Sequence, residues 1–109
     1  MAQKGRISME LIYVAHPYTS NPKANVEDAR EKIVELHAKN PENWYTTTLG
    51  EFDEDTPYDV VMKHCFSRIQ KCDAILFLPD FRGDDWRKSN GCRMEYEYAK
   101  KLGLRIVEK

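Results

Sequence analysis

Two stretches of this chain, residues 11–15 and 74–78, are apolar without a break, the pattern of strands covered on both faces. The segments between and after them carry apolar residues at helical spacing instead. Val26, Ala29, Ile33 and Leu36 form one such stripe, with Asn21 placed to cap the helix, Pro22 to open it and Asn40-Pro41 to close it. Tyr58, Val61, Cys65, Ile69 and Cys72 trace a second helix after Pro57. A third begins near Asn90 and ends at Gly103. Residues 44–49, β-branched and aromatic, predict a short strand, residues 50–57 an acidic loop, and residues 104–107 a closing strand.

The order β-α-β-α-β-α-β predicts a single α/β domain over residues 9–109, with a parallel sheet of four to five strands, right-handed crossovers and helices on both faces. No repeat, low-complexity tract or linker divides it. Residues 1–8 are polar and read as a flexible lead-in, with Met9 as an alternative start. In folds of this kind ligands collect beyond the carboxyl ends of the strands. Those ends lead here into residues 16–21 and 79–91.

The third helix carries an anomaly. At about 100° per residue, Cys92, Tyr96, Ala99 and Leu102 share one stripe and Glu95 falls between Ala99 and Leu102, while Glu97 points to water. A buried carboxylate is costly unless it is paired or hydrogen-bonded, so Glu95 either reaches solvent from the stripe's edge or has a partner and lines a cavity. Ser89, Asn90 and Gly91 form the start of this helix. Its free N–H groups and positive dipole end suit a phosphate, and equally a serine or asparagine side chain that caps them.

Composition narrows the function. Seventeen basic and eighteen acidic residues give a net charge of −1, and no basic field argues for nucleic-acid binding. His16, His37 and His64 have no metal-ligand spacing, so neither a metal nor another cofactor is expected. The apolar runs are too short to span a membrane. Cys65, Cys72 and Cys92 are odd in number and form no C-x-x-C, which suggests reduced thiols in a cytoplasmic protein. Tyr58, Phe66, Phe81, Trp86, Tyr96 and Tyr98 lie on or beside the helices and loops of the site, and some of them are expected at an interface.

Three motifs in order carry a resemblance: Ile12 to Thr19 (Ile12, Tyr13, Val14, Ala15, His16, Pro17, Tyr18, Thr19), then Cys72, Asp73, Ala74 and Ile75, then Trp86, Ser89, Gly91, Glu95 and Ala99 at fixed spacing. Together they resemble the nucleoside 2-deoxyribosyltransferase-like superfamily, nearest its small phage and bacterial members of unknown function. The resemblance implies a flavodoxin-like three-layer fold, active sites assembled at subunit interfaces in a homodimer or larger oligomer, and cleavage of the N-glycosidic bond of a nucleoside or nucleoside 5′-monophosphate. It implies Glu95 as the nucleophile and Tyr13 as the residue that orients it, the chemistry of a retaining glycosidase. His16, Pro17, Tyr18, Ser89, Asn90 and Gly91 would then bind substrate, with Ser89 where nucleotide-cleaving members contact a phosphate. Two positions depart from the pattern. Cys65 stands where the resemblance implies an aspartate, for which His64 or an acid of residues 53–59 would have to substitute. His16 replaces a glycine, either as a titrating donor to substrate or as a solvent-exposed loop residue. A nucleotide-binding module without turnover is the alternative, since a fold does not carry activity with it.

Overall fold

The computed structural model describes residues 9–108; the expected lead-in at residues 1–8 lies outside them. Four strands, β1 (Leu11–Ala15), β2 (Trp44–Thr46), β3 (Ala74–Phe77) and β4 (Arg105–Glu108), form one parallel sheet in the order β2-β1-β3-β4. Three helices connect them: α1 (Pro22–Lys39), α2 (Tyr58–Ile69) and α3 (Asn90–Leu102). A single turn of 3-10 helix at Trp86–Lys88, which the spacing did not predict, precedes α3.

The alternation of side chains along the strands sorts the core into two layers. Ile12 and Val14 of β1, with Ala74 and Leu76 of β3, face Ile33 and Leu36 of α1. Tyr13 and Ala15, with Ile75 and Phe77, face Cys65 and Ile69 of α2 and Cys92 and Ala99 of α3. Helices therefore cover both faces, the three-layer flavodoxin-like arrangement. The odd-numbered parity of Tyr13 sends it to the α2–α3 side, where it meets Glu95.

Helix boundaries follow local chemistry. The Asn21 side chain accepts from the Ala24 N–H at 3.2 Å and Pro22 opens α1, a cap worth about 1 kcal/mol. Ser89 does the same for α3 through the Cys92 N–H at 3.2 Å. Gly103 ends α3 with φ of 70°, the left-handed conformation glycine adopts without steric cost.

Several boundaries differ from the sequence expectation. β2 stops at Thr46 rather than residue 49, because the Thr47 hydroxyl donates to the Val14 carbonyl at 2.9 Å and the chain turns inward, burying Thr48. β4 starts at Arg105, since the Leu104 N–H belongs to the end of α3 and donates to the Ala99 carbonyl. The buried row of α3 is Cys92, Glu95 and Ala99; Leu102 is 43% exposed, so the covered face ends one turn before the helix does.

A buried amide ties together the loops that follow β1 and β3. Asn25 of α1 donates to the Tyr18 carbonyl at 3.0 Å and to the Ser20 hydroxyl at 2.9 Å, and accepts from the Phe81 N–H at 3.0 Å. Beside it, the Asp80 carboxylate accepts from the Arg82 and Asp84 N–H groups at 2.8 and 2.9 Å and from Ser20 at 3.2 Å. Both loops border the same end of the sheet, so this clip fixes one wall of the region where a ligand would lie.

Candidate functional site

Beyond the carboxyl ends of β1 and β2, and between the amino-terminal halves of α2 and α3, lies a cavity of about 300 Å³. Glu95, Thr48, Cys65 and Cys92 contribute to its inner wall, and exposed Asp53, Glu54, Tyr58 and Asn90 to its rim. Its size and single inner carboxylate suit a small-molecule site.

Glu95 is 6% exposed and is held by one strong contact, the Tyr13 hydroxyl donating to its Oε2 at 2.6 Å. The Tyr13 oxygen lies 3.0 Å from the Thr48 hydroxyl, which in turn lies 3.1 Å from the Cys65 sulfur. Burial pushes the Glu95 carboxyl up to about 7, against which the hydrogen bond from Tyr13 and then the nearby Cys65 thiol act. The same burial, with the Glu95 charge next in size, raises Tyr13 well above the usual phenol range and raises the Cys65 thiol. Tyr13 and Cys65 therefore remain protonated donors near neutral pH, and Glu95 exchanges a proton there. A carboxylate poised in this way serves as a nucleophile or as a general acid–base group.

The residues expected from sequence divide. Tyr13 and Glu95 meet as the motif implied, which settles the alternatives for Glu95 in favour of a partnered group lining a cavity. Tyr18, Ser89, Asn90 and Gly91 all border that cavity. Ser89 is occupied as the α3 cap. Asn90 donates to the Tyr58 hydroxyl at 3.2 Å, joining the two helix starts across the rim. A Cβ at Gly91 would meet the Tyr58 oxygen at 3.5 Å and nothing closer, so no close packing demands this glycine.

Pro17 is buried outside the cavity lining and contributes its carbonyl instead, to His16 Nδ1 at 2.7 Å. His16 borders the cavity and is buried rather than exposed at a loop surface; its Nδ1 lies 2.7 Å from the Pro17 carbonyl and its Nε2 engages Asp28 of α1 at 2.8 Å. The Asp28 carboxyl is lowered by its hydrogen bonds from His16 and Lys32 even though its burial acts to raise it.

Of the groups considered as substitutes for an acid at position 65, His64 lies outside the cavity, edge-on to Phe52 with ring centroids 5.0 Å apart and 3.3 Å from Glu51. Asp53 and Glu54 do border the cavity. Among the described residues no lysine or arginine does. Arg87 pairs with Asp85 and Glu108 and lies over the Trp86 ring, and Arg93 donates to the Arg87 carbonyl at 2.6 Å. Among the described residues no three His, Cys, Asp or Glu side chains converge as metal ligands would.

Sequence reasoning missed Thr48 and Asn25. Thr48 lies two residues past the carboxyl end of β2, a position hidden in the sequence because residues 44–49 read as one strand; Asn25 had no signal, since asparagine in a helix ordinarily faces water.

An α/β domain of flavodoxin-like topology, with a partnered acid inside a cavity at its carboxyl-terminal edge, is the class that fold and site define. Within that class, residues 10–108 match the family described as a domain of unknown function, DUF4406, and the chain belongs to it. None of the curated proteins compared with it matches.

Proposed function

We propose that this protein is a cytoplasmic enzyme related to the nucleoside 2-deoxyribosyltransferases, and that it cleaves the N-glycosidic bond of a nucleoside or nucleoside 5′-monophosphate through Glu95. The observation that carries this reading is the 2.6 Å hydrogen bond from Tyr13 to a Glu95 carboxylate buried in the wall of a ligand-sized cavity. With Oε2 held by Tyr13, Oε1 attacks the anomeric carbon, a new C–O ester bond forms, and the C–N bond breaks with its electron pair leaving on the base. The departing base takes up its proton from water reaching it through the open rim, beside Asp53 and Glu54. Water then hydrolyses the glycosyl ester, or a second base displaces it. Exposed Tyr58 at the rim and Met94 beside it supply apolar surface for a second copy to complete the site. Three free, buried cysteines are in keeping with a reducing compartment.

The test is to incubate the protein with a panel of nucleosides and 5′-monophosphates, with and without a second free base, and to measure released or exchanged base by chromatography. Absence of both products across the panel would refute the enzymatic reading.

Cys65 favours a second reading, a nucleotide-binding module that has lost turnover, because the resemblance implies an aspartate where this buried thiol stands. Under it, a nucleoside raises the melting temperature and no base is released.

A further inference from the structure

Counting protons fixes a direction for the contacts behind Glu95. Tyr13 has one hydroxyl proton, and it goes to the Glu95 carboxylate at 2.6 Å. In the 3.0 Å contact with Thr48, the Tyr13 oxygen must therefore accept, and Thr48 donates. That uses the only proton Thr48 has, so in the 3.1 Å contact with Cys65 the thiol donates to the Thr48 oxygen. The result is a one-way chain, Cys65 to Thr48 to Tyr13 to Glu95, contributed by α2, the segment after β2, β1 and α3.

We propose that Thr48 is a positioning residue of this site: by donating to the Tyr13 oxygen it leaves the Tyr13 proton a single acceptor, Glu95, and polarises that O–H so that it holds the carboxylate more strongly. Thr48 is 3% exposed, and its hydroxyl is the one group bonded to both Tyr13 and Cys65. Chains of hydrogen bonds in a low-dielectric interior strengthen one another, so the effect of Thr48 reaches Glu95 without touching it. Cys65 closes the chain as a donor, a role an acceptor-only carboxylate at that position would reverse by claiming the Thr48 proton. The groups that face Glu95 are Tyr13 from β1, Cys65 from α2 and Cys92 from its own helix, with His16, Asp53 and Glu54 elsewhere in the cavity wall. Of these, Tyr13 is bonded to Thr48 at 3.0 Å and to Glu95 at 2.6 Å.

The inference rests on the proposed function for its catalytic meaning, and its test is chosen to stand without turnover. The ionisation of Glu95 is followed by carbon NMR of protein carrying labelled glutamate, with Glu95→Gln to assign the signal, in the unchanged chain and in Thr48→Val, Thr48→Ser and Cys65→Ala. Thr48→Val keeps the shape and removes the hydroxyl; it should raise the Glu95 midpoint by about half a unit to one unit. Thr48→Ser should restore it, and Cys65→Ala should move it in the same direction by less. Where base release is measurable, the acid limb of its kcat/KM profile should move to higher pH by the same amount in Thr48→Val and return in Thr48→Ser. A purely structural threonine predicts lowered melting temperature with the midpoint unmoved, and that result in folded Thr48→Val would overturn the proposal. Should Thr48→Val fail to fold, Cys65→Ala decides: an unmoved midpoint there overturns the chain. Shifts in the expected order, found without any release of base, would sustain the role of Thr48 and refute only the enzymatic reading.

Discussion

Tyr13 and Glu95 face each other at 2.6 Å where the protein all but excludes solvent, the one residue 1% and the other 6% exposed. A phenol this well buried, with its oxygen taken up by Thr48, has no other acceptor for its proton. Glu95→Gln keeps the shape and the hydrogen bond but removes the nucleophile. Base release should fall by at least about a thousandfold while circular dichroism stays that of the parent; near-normal turnover would exclude a covalent mechanism through this residue.

The same substitution should make the protein more stable, and only at higher pH. The Glu95 carboxyl is raised from 4.5 to about 7 in the folded protein, so between those values the folded state holds a proton that the unfolded state has released. Stability therefore declines as pH rises through this window. At about 1.4 kcal/mol per unit the loss reaches about 3 kcal/mol above pH 7, and a neutral glutamine escapes it. Urea unfolding of Glu95→Gln and parent should coincide near pH 4 and diverge in favour of the variant by pH 8. Parallel curves would mean that Glu95 ionises freely.

Tyr13→Phe removes the donor and leaves the carboxylate buried with less compensation. Its charged form then becomes costlier by about 1.5–3 kcal/mol, so activity should fall more at pH 6 than at pH 9 as the Glu95 midpoint rises. A uniform loss across the pH range would assign Tyr13 to packing alone.

Substrate charge is decided at the cavity rim. Ser89 at a helix start pointed to a phosphate, yet Arg87 and Arg93 beside it are engaged elsewhere and, among the described residues, the cavity wall carries Asp53 and Glu54 without a lysine or arginine. Repulsion from two rim carboxylates opposes the dipole of α3. Calorimetry should therefore find an uncharged nucleoside bound more tightly than its 5′-monophosphate, and the gap should narrow in Asp53→Asn/Glu54→Gln. A tighter monophosphate would instead point to cations supplied by a second copy.

Assembly has its own signature. Tyr58, Val60 and Met94 are 46%, 48% and 37% exposed, and the Tyr58 hydroxyl lies 3.4 Å from the Met94 sulfur beside the cavity rim. Light scattering at micromolar concentration should give the mass of a homodimer or larger species, and Tyr58→Asp should shift it toward the monomer. A monomer mass for the parent would refute this arrangement.

Much of this is legible in the sequence, because the two unbroken apolar runs and three stripes are long-range consequences of burial on one face or two. Glu95 could be picked out as a charge in an apolar row, and its partner came from a motif. The loops were harder. Whether His16 faced solvent or substrate depended on Asp28 lying across from it on α1, a tertiary contact without sequence periodicity. The aromatics sort by the same kind of contact: Trp86 is buried against Phe77 with ring centroids 4.2 Å apart and Phe66 stacks on Tyr98 at 4.3 Å, so these fill the protein's own α2–α3 layer, while Tyr58 stays exposed. Thr48 escaped notice because residues 44–49 read as one strand, and the early end of β2 is what turns its hydroxyl inward.

The parallel sheet has a kinetic consequence for the site. Every neighbouring pair of strands is joined by a crossover rather than a hairpin, and the hydrogen bond between Tyr13 and Glu95 spans 82 positions of chain. Helices can form early from local contacts, but this bond requires β1, β3 and α3 to have docked, with the loop-closure entropy of the intervening chain already lost. Recovery of the site should therefore be among the last events of refolding, lagging the far-ultraviolet signal, and cleavage of the chain anywhere between the two residues should uncouple them unless the pieces remain associated.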